Sequence, residues 1–148
     1  MERLLVALVI VVVVGIIALA IRRRRVPDAP TQRRHTVPEQ LDRSRFPRPE
    51  APWLVAVFTS ATCDVCRGVL DKAAVVACDE VAVAEIEYTA ERSLHEQYSI
   101  DAVPTLVIAD RSGVVVASFV GPMTATDLWA AVAEAREPGS TPRQGSCH

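Results

Sequence analysis

Histidine, lysine and aromatic side chains are scarce in this chain of 148 residues, and it has only four cysteines. Neither His35, in a proline-rich stretch, nor His95, expected on a helix surface, has a partner arrangement that suggests catalysis. With two tryptophans in the whole chain, Trp53 and Trp129 are expected to be packing residues rather than a binding platform. No internal repeat is present, which excludes a solenoid or array. Lys72 is the single lysine among sixteen basic residues, the bias that a GC-rich coding sequence would give. The most telling absence is near the start. From Leu4 to Ile21 no side chain is charged or polar.

Those eighteen residues would form a helix of roughly 27 Å, close to a hydrocarbon core of about 30 Å. A buried core helix would carry a polar face, and nothing here supplies one. A cleaved secretory signal needs small residues after its apolar run. Here Arg22, Arg23, Arg24 and Arg25 stand in that place. Basic residues flanking a span are retained in the cytoplasm. The expectation is therefore an uncleaved single-pass anchor, residues 4–21 in the bilayer, with a cytoplasmic C-terminal domain. A domain on the outer face is the rival orientation.

Charge is unevenly distributed. Arg22 to Glu50 holds nine arginines against four carboxylates, whereas Ala51 onward holds six basic and thirteen acidic residues. A basic strap joined to an acidic domain suits an anionic lipid surface and argues against a nucleic-acid partner. The expected organisation is an anchor with its basic flank over 1–25 and a Pro/Arg-rich linker over 26–52. A folded domain over 53–136 and a disordered tail over 137–148 follow. Six prolines between Val26 and Pro52 favour an extended spacer, with room for a short helical turn around Glu39 to Arg43.

Inside the domain the pattern alternates. Trp53 to Thr59 reads as a buried strand, and Asp64 to Ala77 as a helix with Val65, Val69, Ala73 and Val76 at helical spacing. Val81 to Glu87 reads as a strand, Ala90 to Tyr98 as a polar helix and Val103 to Ala109 as a second buried strand. Asp110-Arg111-Ser112-Gly113 has turn chemistry, with Val114 to Val120 as an antiparallel partner. Thr124 and Asp127 resemble a capping box opening a last helix, with Leu128, Val132 and Ala135 on one face. The fold class is α/β: a mixed central sheet flanked by helices.

Cys63-Asp64-Val65-Cys66 falls between a buried strand and a helix start. A thiolate there gains from the free N–H groups of the helix N-terminus. Cys63 is the expected nucleophile on a partner disulfide, and Cys66 the residue that resolves the mixed disulfide. This chemistry needs no metal or organic cofactor. The competing reading is half of a zinc site, which would need two more ligands from Cys78, His95, Cys147 and His148. Cys78 is expected to be a small packed side chain and Cys147 an exposed thiol.

The strand Trp53 to Phe58, the cysteine pair and the later Val103-Pro104-Thr105 together resemble the thioredoxin family, over about residues 51 to 136. The usual first strand and helix of that family have no counterpart in this reading. The resemblance implies a cis Pro104 beside the cysteines, with Val103, Pro104 and Thr105 as substrate-binding residues. It implies a thiol–disulfide oxidoreductase whose partners are protein thiols and disulfides near the membrane. A redox-inactive interaction module of the same fold is the other class of reading. Departures from the family pattern point to a less reactive or partner-tuned dithiol. Thr62 replaces the Trp before the first cysteine, and Asp64-Val65 replaces Gly-Pro. Val57 stands where thioredoxins bury a proton-accepting Asp, and Asp71 where a proline kinks the helix. Asp64 adds a negative charge beside Cys63, opposing the thiolate.

Overall fold

The computed structural model describes residues 35–140. The apolar run Leu4 to Ile21, its basic flank, and Cys147 and His148 lie outside the described residues. Among the described residues, no helix is long and apolar enough to cross a membrane.

Strand β1 (Trp53–Thr59) is followed by α1 (Cys66–Val75), β2 (Val81–Glu87), α2 (Arg92–Gln97), β3 (Thr105–Asp110), β4 (Val115–Val120) and α3 (Ala125–Arg136). The sheet order is β2-β1-β3-β4, with β1 parallel to β2 and both other pairs antiparallel. The mixed α/β sheet expected from the alternation is therefore present. A helix crossover makes the parallel pair, and the short Asp110–Gly113 turn makes the last antiparallel one.

Side-chain alternation along β1 divides the core in two. Leu54, Ala56 and Phe58 join Ile86, Leu94 and Tyr98 on one face, while Val55 and Val57 join Val69, Leu106, Leu128 and Val132 on the other. Both faces of the central strands are covered, which is why β1 and β3 read as unbroken apolar runs.

The domain begins earlier than the sequence predicts. Leu41 and Phe46, inside the expected 26–52 linker, are 1% and 5% exposed and belong to the first core. Proline blocks regular helix and strand here, yet an irregular segment still buries apolar side chains. The short turn expected at Glu39 to Arg43 is a 3-10 turn at Arg43–Arg45, capped by the Asp42 carboxylate. Arg43 ties the segment down from within. Its guanidinium donates to the carbonyls of Asp110, Arg48 and Ala51 at 2.8, 3.1 and 3.2 Å. The Leu41 N–H donates to Gly113 O at 2.8 Å, and Val115 N–H to Glu39 O at 2.9 Å. Gly113 has φ +88°, and a Cβ there would come within 1.9 Å of Leu41 O. Only glycine permits that approach. Among the described residues no strand precedes β1, and the segment carrying Leu41 and Phe46 covers that side of the sheet instead.

Four smaller expectations are corrected. His95 is buried at 2% exposure, not on the surface, with its ring edge-on to Phe58 and Tyr88. Cys78 is exposed rather than packed, since its turn holds backbone bonds with Val81 and turns the thiol outward. Trp129 is half exposed, because α3 presents Leu128 and Val132 to the sheet and leaves the adjacent position outside. Val65 is also half exposed: α1 starts at Cys66, so its buried stripe is Cys66, Val69 and Ala73.

Candidate active site

β1 ends at Thr59, and residues 60–65 carry the chain to the first residue of α1. Two backbone bonds shape this turn. The Cys63 N–H donates to Ser60 O at 3.0 Å, and the Cys66 N–H to Cys63 O at 3.2 Å. Val65 precedes the helix without a side-chain cap. The first-turn N–H groups of α1 therefore have no side-chain acceptor at that residue, and a helix start of this kind favours a nearby negative charge.

The two sulfurs are joined in a disulfide, with Cα atoms 5.5 Å apart. Their accessibility differs. Cys63 is half-buried in the turn, whereas Cys66 is 3% exposed and packs under the helix. The residue exposures favour approach of an incoming thiolate at Cys63 over Cys66. That asymmetry suits an attacking and a resolving cysteine. Asp64 and Val65, between them, both face solvent.

The Val103–Pro104 peptide bond is cis, as the resemblance implied. The β1–β3 register pairs Phe58 with Thr105, which sets Pro104 across from Thr59, at the sheet end that carries the cysteine turn. The Gly121 N–H donates to Pro104 O at 2.8 Å, and the Thr105 hydroxyl to Ala102 O at 2.8 Å. Thr105 is buried between its strand partners Phe58 and Val120. Val103 is half exposed and borders a depression of about 260 Å³ with Ser60, Tyr88, His95 and Asp101. Pro104 and Val103 thus lie at the active end, while the backbone of Thr105 is committed to the sheet.

At the position where thioredoxins carry a buried Asp, Val57 is fully buried among apolar side chains. Its neighbour in register on β2 is Glu85, whose carboxylate accepts the Thr59 hydroxyl at 2.9 Å. Asp71, in place of the kinking proline, pairs with Arg67 at 3.6 Å along an α1 of ten residues.

The described members of the zinc reading do not converge. Cys78 lies beyond the opposite end of the ten-residue α1 from Cys66. His95 donates from Nε2 to Ile86 O at 2.9 Å. Among the described residues, no group of three or more His, Cys, Asp or Glu side chains is placed to hold a metal ion.

One residue that the sequence did not single out is Glu87. Its Oε1 accepts the Ala61 N–H at 3.1 Å, and its Oε2 the N–H groups of Thr89 and Ala90 at 2.8 and 2.9 Å. The bond to Ala90 foremost, with those to Ala61 and Thr89, holds its carboxyl below the ordinary value of 4.5. The only local signal is a glutamate at a strand end followed by polar turn residues.

Comparison with known proteins agrees with this geometry. The family model described as thioredoxin matches residues 43–134, more than half of the chain. The fold is similar to a solved structure titled "Structure of a malarial protein". The TM-score is 0.51 and the identity 17%, over 57% of this chain and 97% of that one. A second similar structure is a point-mutant thioredoxin from Halobacterium salinarum NRC-1, with a TM-score of 0.48 and 26% identity. The match covers 54% of this chain and 71% of that one. No match was found among curated proteins. With the family model spanning the sheet, the cysteine turn and the cis-proline loop, the chain belongs to the thioredoxin family.

Proposed function

We propose that the chain is a membrane-tethered thiol–disulfide oxidoreductase working through Cys63 and Cys66. The observation that carries this reading is the disulfide between β1 and α1, with Cys63 half-buried and Cys66 buried. In the reducing direction, the Cys63 thiolate attacks a partner disulfide, forming a mixed disulfide and releasing one partner thiolate. Cys66, as thiolate, then attacks the Cys63 sulfur, breaks the mixed bond and releases the second partner thiolate. The enzyme ends as the disulfide, having passed two electrons to the partner, and the reverse sequence oxidises a partner dithiol.

Tethering is supported by the sequence alone. The Leu4 to Ile21 run and the arginines at 22–25 favour a single span with the domain in the cytoplasm. The reducing cytoplasm would keep the dithiol form available for reduction of disulfides near the bilayer. Labelling of Cys63 by an impermeant thiol reagent on intact cells would place the domain outside instead.

The deciding experiment compares reduction of a model protein disulfide by the parent chain and by Cys63→Ser. The parent is expected to turn over, the variant to lose at least a hundredfold in rate, and Cys66→Ser to accumulate a reducible covalent adduct. Equal turnover by parent and Cys63→Ser removes the catalytic reading and leaves an interaction module.

A further inference from the structure

We propose that Glu87 is a positioning residue for Cys63, holding in place the turn that presents the attacking sulfur. The inference rests on the thiol–disulfide exchange reading above.

Glu87 is the last residue of β2 and pairs in register with Thr59, the last residue of β1. Two connections leave the sheet at this point: the turn to the cysteines and the turn to α2. The Tyr88 N–H donates to Thr59 O at 2.9 Å, which extends the pairing one step past the strand ends. Beyond it the backbones separate, and the Glu87 carboxylate spans the gap. One oxygen holds Ala61, two residues before Cys63; the other holds Thr89 and Ala90 on the far side. A glutamate serving only solubility at an edge strand would point its carboxylate into water. This one accepts three backbone N–H groups, each a charge-assisted bond.

What the turn has of its own is modest. The Ser60 and Thr62 hydroxyls are 3.2 Å apart, and Thr62 N–H reaches Ser60 Oγ at 3.4 Å. Cys63 N–H bonds Ser60 O, so the position of the cysteine follows that of the 60–61 backbone. Fixing Ala61 therefore adds to the Cys66 N–H to Cys63 O bond in setting where Cys63 stands relative to Cys66, at the buried start of α1. Closing a disulfide between preplaced sulfurs costs less chain entropy than closing it from a loose turn. The clamp thus favours the oxidised form and speeds resolution by Cys66. The depressed carboxyl pKa means that the ionised clamp persists across the neutral range.

The side-chain chemistry sets the test. Glutamine has one acceptor oxygen, so Glu87→Gln keeps one side of the clamp and presents an NH2 to the other. Glu87→Ala keeps neither. Full-length chain in detergent is equilibrated with mixtures of reduced and oxidised glutathione, acid-quenched and read by mass for the disulfide fraction. Two glutathione thiols reduce the protein disulfide and leave as one glutathione disulfide, so the ratio gives the oxidation constant directly. That constant is expected to fall roughly tenfold for Glu87→Ala and roughly threefold for Glu87→Gln. Glu96→Gln, a charge change on the exposed face of α2 where the carboxylate pairs with Arg92, should leave it unchanged.

An unaltered oxidation constant in Glu87→Ala, whatever happens to its melting temperature, overturns the proposal and makes the residue a fold anchor. Should the alanine variant not fold, an unaltered constant in Glu87→Gln has the same force. A parent chain that never forms the exchangeable Cys63–Cys66 disulfide instead refutes the exchange reading itself.

Discussion

Val57 and Glu85 face one another in register across the parallel ladder of β1 and β2. The first is sealed among Val55, Val69 and Leu106, and the second reaches past it to accept the Thr59 hydroxyl. The position from which thioredoxins offer a buried carboxylate therefore holds a hydrocarbon here. The nearest acid in that register sits at the sheet edge, exposed to solvent. Among the described residues no carboxylate is buried.

Restoring the acid should be costly. Val57→Asp places a carboxyl at a fully buried position packed among apolar side chains. We expect a loss of about 2–4 kcal/mol in urea unfolding, since the side chain must stay protonated or draw in water. Unfolding at the parent midpoint would mean the site is hydrated.

The early segment should behave as part of the fold. Arg43 is 7% exposed and spends its guanidinium on three backbone carbonyls, and burial pushes its pKa below the ordinary value. Arg43→Met removes all three bonds and leaves those carbonyls short of donors. The expected cost is about 2–4 kcal/mol by chemical denaturation. Arg43→Lys should recover little of it, because a single ammonium cannot match the planar fork. A chain beginning at Trp53 would also lose the buried Leu41 and Phe46, each contributing roughly 1.5–3 kcal/mol. Such a chain should fail to give a cooperative melt, and one beginning at His35 should melt like the parent domain.

Acid should weaken the domain through three depressed carboxyls. Asp42 is held below 3.8 by its bonds from Ser44, and Asp110 below 3.8 first by the Ser112 hydroxyl and then by Val114 and neighbouring N–H groups. Glu87 is held below 4.5 by Ala90, Ala61 and Thr89. Each folded pKa lies below its unfolded value. The stabilisation is thus complete above about pH 5 and drains away as pH falls through the folded values. Thermal melts from pH 6 to pH 2 should be flat at first and then drop below about pH 4. In Asp110→Asn the drop should be shallower and the neutral-pH melting temperature lower. A parent melting temperature that is constant across this whole range would contradict these three shifts.

Much of the architecture was open to reading because it depends on local period and punctuation. β1 and β2 fall at the predicted bounds, Trp53–Thr59 and Val81–Glu87. Apolar continuity marks a strand covered on both faces, and alternation marks one at an edge. The cap at Thr124 was legible for the same reason: its hydroxyl accepts the Asp127 N–H at 3.1 Å, a bond between residues three apart. The cysteine pair, too, needed only its position between a strand and a helix.

What the sequence by itself determined was the order of elements, the two sulfurs at a helix start and the apolar run ahead of the domain, since each is written in neighbouring residues. Tertiary structure alone decided that Leu41, Arg43 and Phe46 belong to the core and that His95 is enclosed. It also decided that Glu87 reaches Ala61, 26 positions away. Those outcomes follow from which backbone atoms the sheet brings together, and a buried arginine or a bridging glutamate has the same local pattern as a solvated one.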